Sequence, residues 1–234
     1  MVKVEIWSDV VCPWCYIGKR RFEAALARFE HRDQVEVEWK SFELDPTSAG
    51  GGSGSYAERL AAKYGTDVAG AQQMLDQMTA AAAVEGLDFR FDLASHANTF
   101  DAHQVIHLAG LRGVQDAVKE RLLLAYFTQG AAVSDRNELV RLGAEAGLDV
   151  EELTGALADQ TYADDVRRDE EQARAFGITG VPFFVVDRAY GVSGAQPADA
   201  LLQVLDQAWA TAHPTLVMAG GADPAACGPQ GCEI

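Results

Sequence analysis

Cysteine is scarce, four in 234 residues. That is too few to staple a chain of this length, so a disulfide scaffold is excluded and stability has to come from a buried core. In a reducing compartment such paired cysteines point instead to catalysis or metal binding. Basic residues are also few: 19 Lys and Arg stand against 35 Asp and Glu, a formal charge of −16. Self-repulsion of that size favours solubility and repels a nucleic-acid backbone, so no nucleic-acid partner is expected. No window approaches the roughly 20 apolar residues that a membrane helix needs, so no membrane partner is expected either, and no internal repeat is present. The opening MVKVEIWSDV has one Lys and no apolar run before a small-residue cleavage site. It does not read as a secretory leader, and a Met directly ahead of a strand pattern leads to the expectation of a cytoplasmic protein.

What is present is 48% apolar sequence, enough for one sizeable core, with or without a packed insertion. Val2 to Trp7 alternates as a strand. A helix follows with Phe22, Leu26 and Phe29 at i, i+4, i+7 beside Ala25, and Val35, Val37 and Trp39 alternate again. Strand, helix, strand is the size of one right-handed βαβ unit. Asp45-Pro46 and the SAGGGSGS stretch then take the chain out of the sheet. Ser55-Tyr56-Ala57-Glu58 fits a capping box opening a helix to about Tyr64, and Asp67 to about Glu85 reads as another ended by Gly86. Helical periodicity resumes over Thr99–Leu111, Val114–Phe127, Asp135–Ala146 and about Tyr162–Phe176. Val181–Val186 and Ala189–Val192 read as short strands joined around Asp187-Arg188, and Pro197 opens a last helix through Trp209.

This order predicts an α/β protein with a thioredoxin fold and a large all-helical insertion. The thioredoxin-like part would be discontinuous, 1–45 and 166–214, with the insertion at 46–165 and a flexible tail at 215–234.

Cys12-Pro13-Trp14-Cys15 lies between the first strand and the first helix. Pro13 suits the first helical position, which puts Cys12 near the N-cap with its sulfur by unpaired backbone N–H groups. Those donors and the helix dipole stabilise a thiolate, so Cys12 is predicted to be the more acidic and more exposed sulfur and the nucleophile. Cys15, three residues on, is predicted to resolve the mixed disulfide. In Thr179-Gly180-Val181-Pro182-Phe183 a proline at a strand start suggests a cis bond that leaves the backbone before it free to pair with an extended substrate, with Val181 and Pro182 against the dithiol.

Together WSDVVCPWCYIGK, NTFDAHQVIHLAG at 98–110 and GITGVPFFVVD resemble the DsbA-like branch of the thioredoxin superfamily, and within it the FrnE-like proteins. The resemblance covers nearly the whole chain. It implies a thiol-disulfide oxidoreductase without a cofactor or metal, with Cys12 and Cys15 as redox pair and Pro182 as cis-proline. It also implies that the NTFDAH stretch caps the active site, making Asn98, Thr99 and His103 candidates to line the cleft beside Pro13, Trp14 and Val181. The partner would be a thiol- or disulfide-bearing protein or a small molecule; the resemblance does not decide between them, nor does the sequence give an oligomeric state. Hydroxychromene-carboxylate isomerases and kappa-class glutathione transferases look similar but typically carry Ser where this chain has Cys12, so a glutathione-dependent isomerase or transferase is the alternative. Cys227 and Cys232 bracket Gly-Pro-Gln-Gly near the C-terminus. They are candidates for an auxiliary redox pair that passes electrons to Cys12-Cys15, or, with that pair, for a four-cysteine zinc site.

Overall fold

The computed structural model describes residues 1–51 and 54–214; the expected tail with Cys227 and Cys232 lies outside the described residues. Strand β1 (Val2–Ser8) is followed by α1 (Pro13–Arg28), a 3₁₀ turn at Arg32–Gln34 and β2 (Val35–Ser41). β1 and β2 pair in parallel from Val2↔Val35 to Ser8↔Ser41, so the opening βαβ unit is realised. The hairpin β3 (Phe183–Val186) and β4 (Tyr190–Ser193) adds antiparallel to β1, giving the order β2-β1-β3-β4. Its three-residue connection, 187–189, holds Asp187 (φ 49°) and Arg188 (φ 53°) in the left-handed region, and the Ala189 N–H donates to the Val186 carbonyl at 3.0 Å. Helix α9 (Ala198–Ala212) follows Pro197 and runs three residues past Trp209.

β1 is internal and covered on both faces. Val2, Val4 and Ile6 join Phe22, Phe184, Leu201 and Leu205 in the main core, while Trp7 on the other face packs with Ala173, Ile178 and Val185. The charged side chain left inside, Glu5, is met by both donor arms of Arg188 at 2.8 Å each.

Between the two parts of the sheet run α2 (Tyr56–Tyr64), α3 (Val68–Val84), α4 (Phe100–Leu111), α5 (Gln115–Gln129), α6 (Arg136–Glu145), α7 (Val150–Ala158) and α8 (Ala163–Ala175). The Ser55–Glu58 capping box forms in both directions, and Asp67 caps α3. Helix α7 was not expected as a separate element. Asp149 starts it by accepting from the Glu152 N–H at 2.9 Å, and Leu153 and Leu157, one turn apart, bury its inner face. The third strand starts at Phe183 and not at Val181, because Pro182 has no N–H to give a ladder.

The fold is therefore a thioredoxin-like α/β sheet with a helical insertion. A single hydrophobic cluster runs from Val2, Val4 and Ile6 through Leu122, Leu139 and Leu157. The changes of element type near residues 45 and 165 thus have no counterpart as a gap in the packing. The α2–α3 pair keeps a small core of its own, Ala57, Ala61, Ala71, Leu75 and Met78, and meets the main core through Tyr56 and Phe91.

Candidate active site

Cys12 is the N-cap of α1, with extended backbone (φ −92°, ψ 113°), and Pro13 occupies the first turn. The Cys15 N–H donates to the Cys12 carbonyl at 3.0 Å, closing the first turn of the motif. Both cysteines are free thiols and both are buried, Cys12 at 4% exposure and Cys15 at 1%. Against them stands the turn before β3. The Val181–Pro182 bond is cis, and the Cys12 thiol donates toward the Val181 carbonyl at 3.5 Å. Gly18, one turn into α1, lets this turn come close: a Cβ there would sit 2.9 Å from Pro182 Cγ.

Helix α1 is locked to α5 above the dithiol. Tyr16 stacks on Phe89 and Phe89 on Phe127, with ring centroids 6.1 and 4.7 Å apart, while the Tyr16 hydroxyl donates to Glu120 at 2.6 Å. The same helix brings in Lys119, which is 1% exposed, with Nζ 3.5 Å from the Ser8 carbonyl and 5.5 Å from the centre of the Trp39 ring. Burial pulls Lys119 down to about 8, although the charges of Cys15 and Asp9 act against the fall.

Each sulfur acts on the ionisation of the other. The hydrogen bond with Cys15, then burial, pushes the Cys12 thiol well up. Burial opposes ionisation of Cys15 too, but the hydrogen bond from Cys12, the charge of Lys119 and a contact with Ser8 outweigh it and bring Cys15 below the usual thiol range. These directions run against the expectation that Cys12 is the more acidic thiol. Its helix-start N–H donor does favour the anion, but the stronger stabilisers are on the Cys15 side. Cys12 is the less buried of the two, as expected.

Beside Cys12 opens a cavity of about 800 Å³. Cys12, Pro13, Trp14, Val181 and Thr99 lie on its wall; Cys15 does not. Trp14 is exposed at its rim. Asn98 and His103, expected to line the cleft, do not. The Asn98 side chain donates to the Ser48 carbonyl at 2.9 Å and accepts from the Phe100 N–H at 3.0 Å, so it ties a loop to the start of α4. His103 is 1% exposed and sits behind the wall, its Nε2 3.4 Å from the Asp9 carboxylate. Asp9 also accepts from the Leu44 N–H at 2.8 Å, and although burial works against its charge, His103 keeps it below the usual carboxylate range.

Sequence reasoning missed Lys119, Asp9 and the α2 side chains Tyr56 and Arg59, which share this cavity or underlie it. A signal existed for Lys119: it stands between Val118 and Leu122-Leu123, at the helical spacing of a buried face. Among the described residues no group of three or more His, Cys, Asp or Glu is arranged to hold a metal ion, and the four-cysteine zinc alternative requires Cys227 and Cys232, outside the described residues. Also among the described residues, no helix is long and apolar enough to cross a membrane.

A sheet of order β2-β1-β3-β4 with a helical insertion, a cysteine pair at the start of its first helix and a proline turn against that pair, defines a thioredoxin fold of the DsbA type. The chain belongs to the DSBA-like thioredoxin domain family, whose pattern matches residues 3–206. A solved structure described as a probable DsbA oxidoreductase from Streptomyces coelicolor is 49% identical, with TM-score 0.86 over 100% of this chain and 99% of that one. The uncharacterized protein YwbO of Bacillus subtilis is 29% identical over 187 residues, 79% of this chain and 86% of its own. At 18% identity, the cytosolic disulfide reductase DsbM from Pseudomonas aeruginosa, solved with GSH, shares the fold with TM-score 0.61 over 88% of this chain and 98% of its own.

Proposed function

We propose that this chain is a thiol-disulfide oxidoreductase in which Cys12 exchanges with the substrate and Cys15 resolves the mixed disulfide. The observation that carries the reading is the position of Cys12: N-cap of α1, on the cavity wall, with its thiol 3.5 Å from the carbonyl that precedes Pro182. Since the environment favours the anion on Cys15, attack begins when the shared proton passes from Cys12 to Cys15. Cys12 then displaces one sulfur of the substrate disulfide, and Cys15 displaces the second by closing the Cys12–Cys15 bond. Val181 and Pro182 are the backbone and ring against which the substrate sulfur is held. The isomerase alternative shares this fold, as a 2-hydroxychromene-2-carboxylate isomerase at 15% identity and TM-score 0.64 illustrates. Two free thiols in one helical turn favour disulfide chemistry over it. We place the reaction in the cytoplasm, where the few cysteines would stay reduced between turnovers.

The test is a trap. Cys15→Ala incubated with a disulfide substrate should accumulate a stable adduct on Cys12, visible as an intact-mass increase that dithiothreitol removes. Cys12→Ser should give no adduct and no turnover, and an adduct forming equally in both variants would defeat the assignment.

A further inference from the structure

The cavity beside Cys12 has a lining that is largely apolar and aromatic. Tyr56, Leu60 and Tyr64 of α2, Met74 and Met78 of α3, and Tyr126 of α5 face it. Its volume of about 800 Å³ is that of a pocket enclosing a small molecule, for which roughly 300–1,000 Å³ is usual. α2 and α3 supply one wall of this cavity and Cys12, Pro13 and Val181 another.

Charge adds a second, independent observation. Among the described residues, all but three of the 19 lysines and arginines lie within salt-bridge distance of a carboxylate. The three are Arg59, Lys63 and Lys119. Arg59 and Lys63 line the cavity, one turn apart on α2, and Lys119 lies beneath the dithiol. Arg59 is held by two neutral groups, the carbonyls of Gly54 at 2.7 Å and Ala94 at 3.1 Å, which orient the guanidinium without neutralising it. Of the carboxylates of the wall, Asp9 accepts from the Leu44 N–H and lies 3.4 Å from His103, while Asp45 accepts from Thr47, lies 3.7 Å from His96 and also feels the charge of Lys63. A second depression, between α1 and α5, offers the contrast. Its Lys19 and Arg20 are bridged by Glu23 and Glu120. In a chain of net charge −16, two cations on one cavity wall that form no ion pair among the described residues, Arg59 and Lys63, are what would draw in an anion that the rest of the surface repels.

We propose that this cavity binds a low-molecular-weight disulfide, or the thiol made from it, with an apolar, ring-sized body and an anionic group that Arg59 and Lys63 hold. The inference rests on the dithiol reading above and names the substrate class of the same site. In the reducing direction the Cys12 thiolate attacks one sulfur of R–S–S–R, forming Cys12–S–S–R and releasing RS⁻. Cys15 then attacks Cys12 Sγ, forming the Cys12–Cys15 disulfide and releasing the second RS⁻. Two electrons pass from the pair to the substrate; the pair, which starts as one thiolate and one thiol, gives its single proton to one released thiolate, and solvent protonates the other.

The experiment uses two aromatic disulfides of similar size, the dianionic 5,5′-dithiobis(2-nitrobenzoate) and the neutral 2,2′-dithiodipyridine, with insulin as a polypeptide disulfide. Single-turnover rates of the reduced protein are compared with those of Arg59→Gln, Lys63→Gln and the double variant at low salt. The loss with the dianionic probe should exceed the loss with the neutral probe by about fivefold or more in the double variant, the order expected of lost ion pairing at a partly exposed site, and added salt should shrink the difference. Lys63 is exposed, so its variant keeps the test alive should Arg59→Gln fail to fold. Equal losses with both probes, or no loss, overturn the proposal. So does insulin outpacing both small probes with rates indifferent to Arg59 and Lys63, which would make the substrate a polypeptide. Failure of the dithiol reading is distinguishable, because the neutral probe would then react with wild type and Cys12→Ser alike.

Discussion

The Cys12 thiol and the Val181 carbonyl, 169 residues apart in sequence, lie 3.5 Å from each other. That contact joins the start of the first helix to the turn that begins the second half of the sheet. It also leaves Cys12, and not Cys15, facing the cavity.

Access should therefore decide which thiol reacts first, even though Cys15 is the one whose surroundings favour the anion. Under limiting iodoacetamide at neutral pH, peptide mapping of the reduced protein should find Cys12 alkylated well ahead of Cys15. Label appearing first on Cys15 would reverse the roles of nucleophile and resolving thiol.

Lys119 should set the redox poise. A buried cation stabilises the reduced pair, which carries the thiolate, over the neutral disulfide, so Lys119→Met should lower the reduction potential by a few tens of mV, about 30 mV being 1.4 kcal/mol for two electrons. It should also move the pH profile of alkylation upward, because the thiol loses the charge that helps it ionise. Equilibration against glutathione buffers reads the first effect, and an unchanged potential would reduce Lys119 to packing.

The same lysine makes stability depend on pH. Its folded value, about 8, is below the ordinary 10.5, so between these limits the unfolded chain binds the extra proton and stability rises with pH. The groups acting on it are Cys15, Asp9, Cys12 and Lys19. Tyr16, Tyr56 and Tyr126, held above the usual phenol range chiefly by burial, reverse the trend above pH 10. The difference between wild type and Lys119→Met in urea melts should isolate the lysine as a slope from pH 8 to 10, amounting to about 3 kcal/mol across the full shift. A flat difference would show that folded Lys119 holds its proton as an unfolded lysine does, with no depressed value.

Gly18→Ala should damage catalysis as well as folding. The added Cβ would come within 2.9 Å of Pro182 Cγ, and a proline ring cannot swing aside, so α1 or the turn has to shift at a cost of about 1–3 kcal/mol. Chemical denaturation and disulfide-exchange rates on the same sample check this, and a variant with wild-type values for both would mean that the turn yields freely.

Arg188→Met should leave Glu5, 1% exposed, buried without its bidentate partner. A loss of about 3 kcal/mol is expected for such an orphaned charge, recovered in part by adding Glu5→Gln. Full stability in the single variant would show that water reaches Glu5.

The sheet and the motif were legible because each rests on local pattern. Val2 to Trp7 alternates, Pro13 fixes a helix start and Asp187-Arg188 sits between two apolar runs. Helix α7 was missed because nine residues show only one apolar pair, Leu153 and Leu157, on the buried face. The errors at the site have a common cause. Whether His103 faces a cavity or lies behind Asp9, and whether Lys119 reaches a thiol, depends on how α4 and α5 roll against the sheet, and periodicity records only that a face is buried. The part that Lys119 plays beside the pair was hidden for the same reason, since that cation comes from a helix more than 100 positions away in sequence.

The small separate core of the α2–α3 pair has one more consequence. The residues that would choose a ligand, Tyr56, Arg59, Leu60 and Lys63 with Met74 and Met78, hang on a unit that packs mainly on itself. The sulfur chemistry sits on the sheet side. Selectivity and reactivity are thus written in different stretches of the chain, so drift along residues 56–78 could retune the ligand while the dithiol stays as it is.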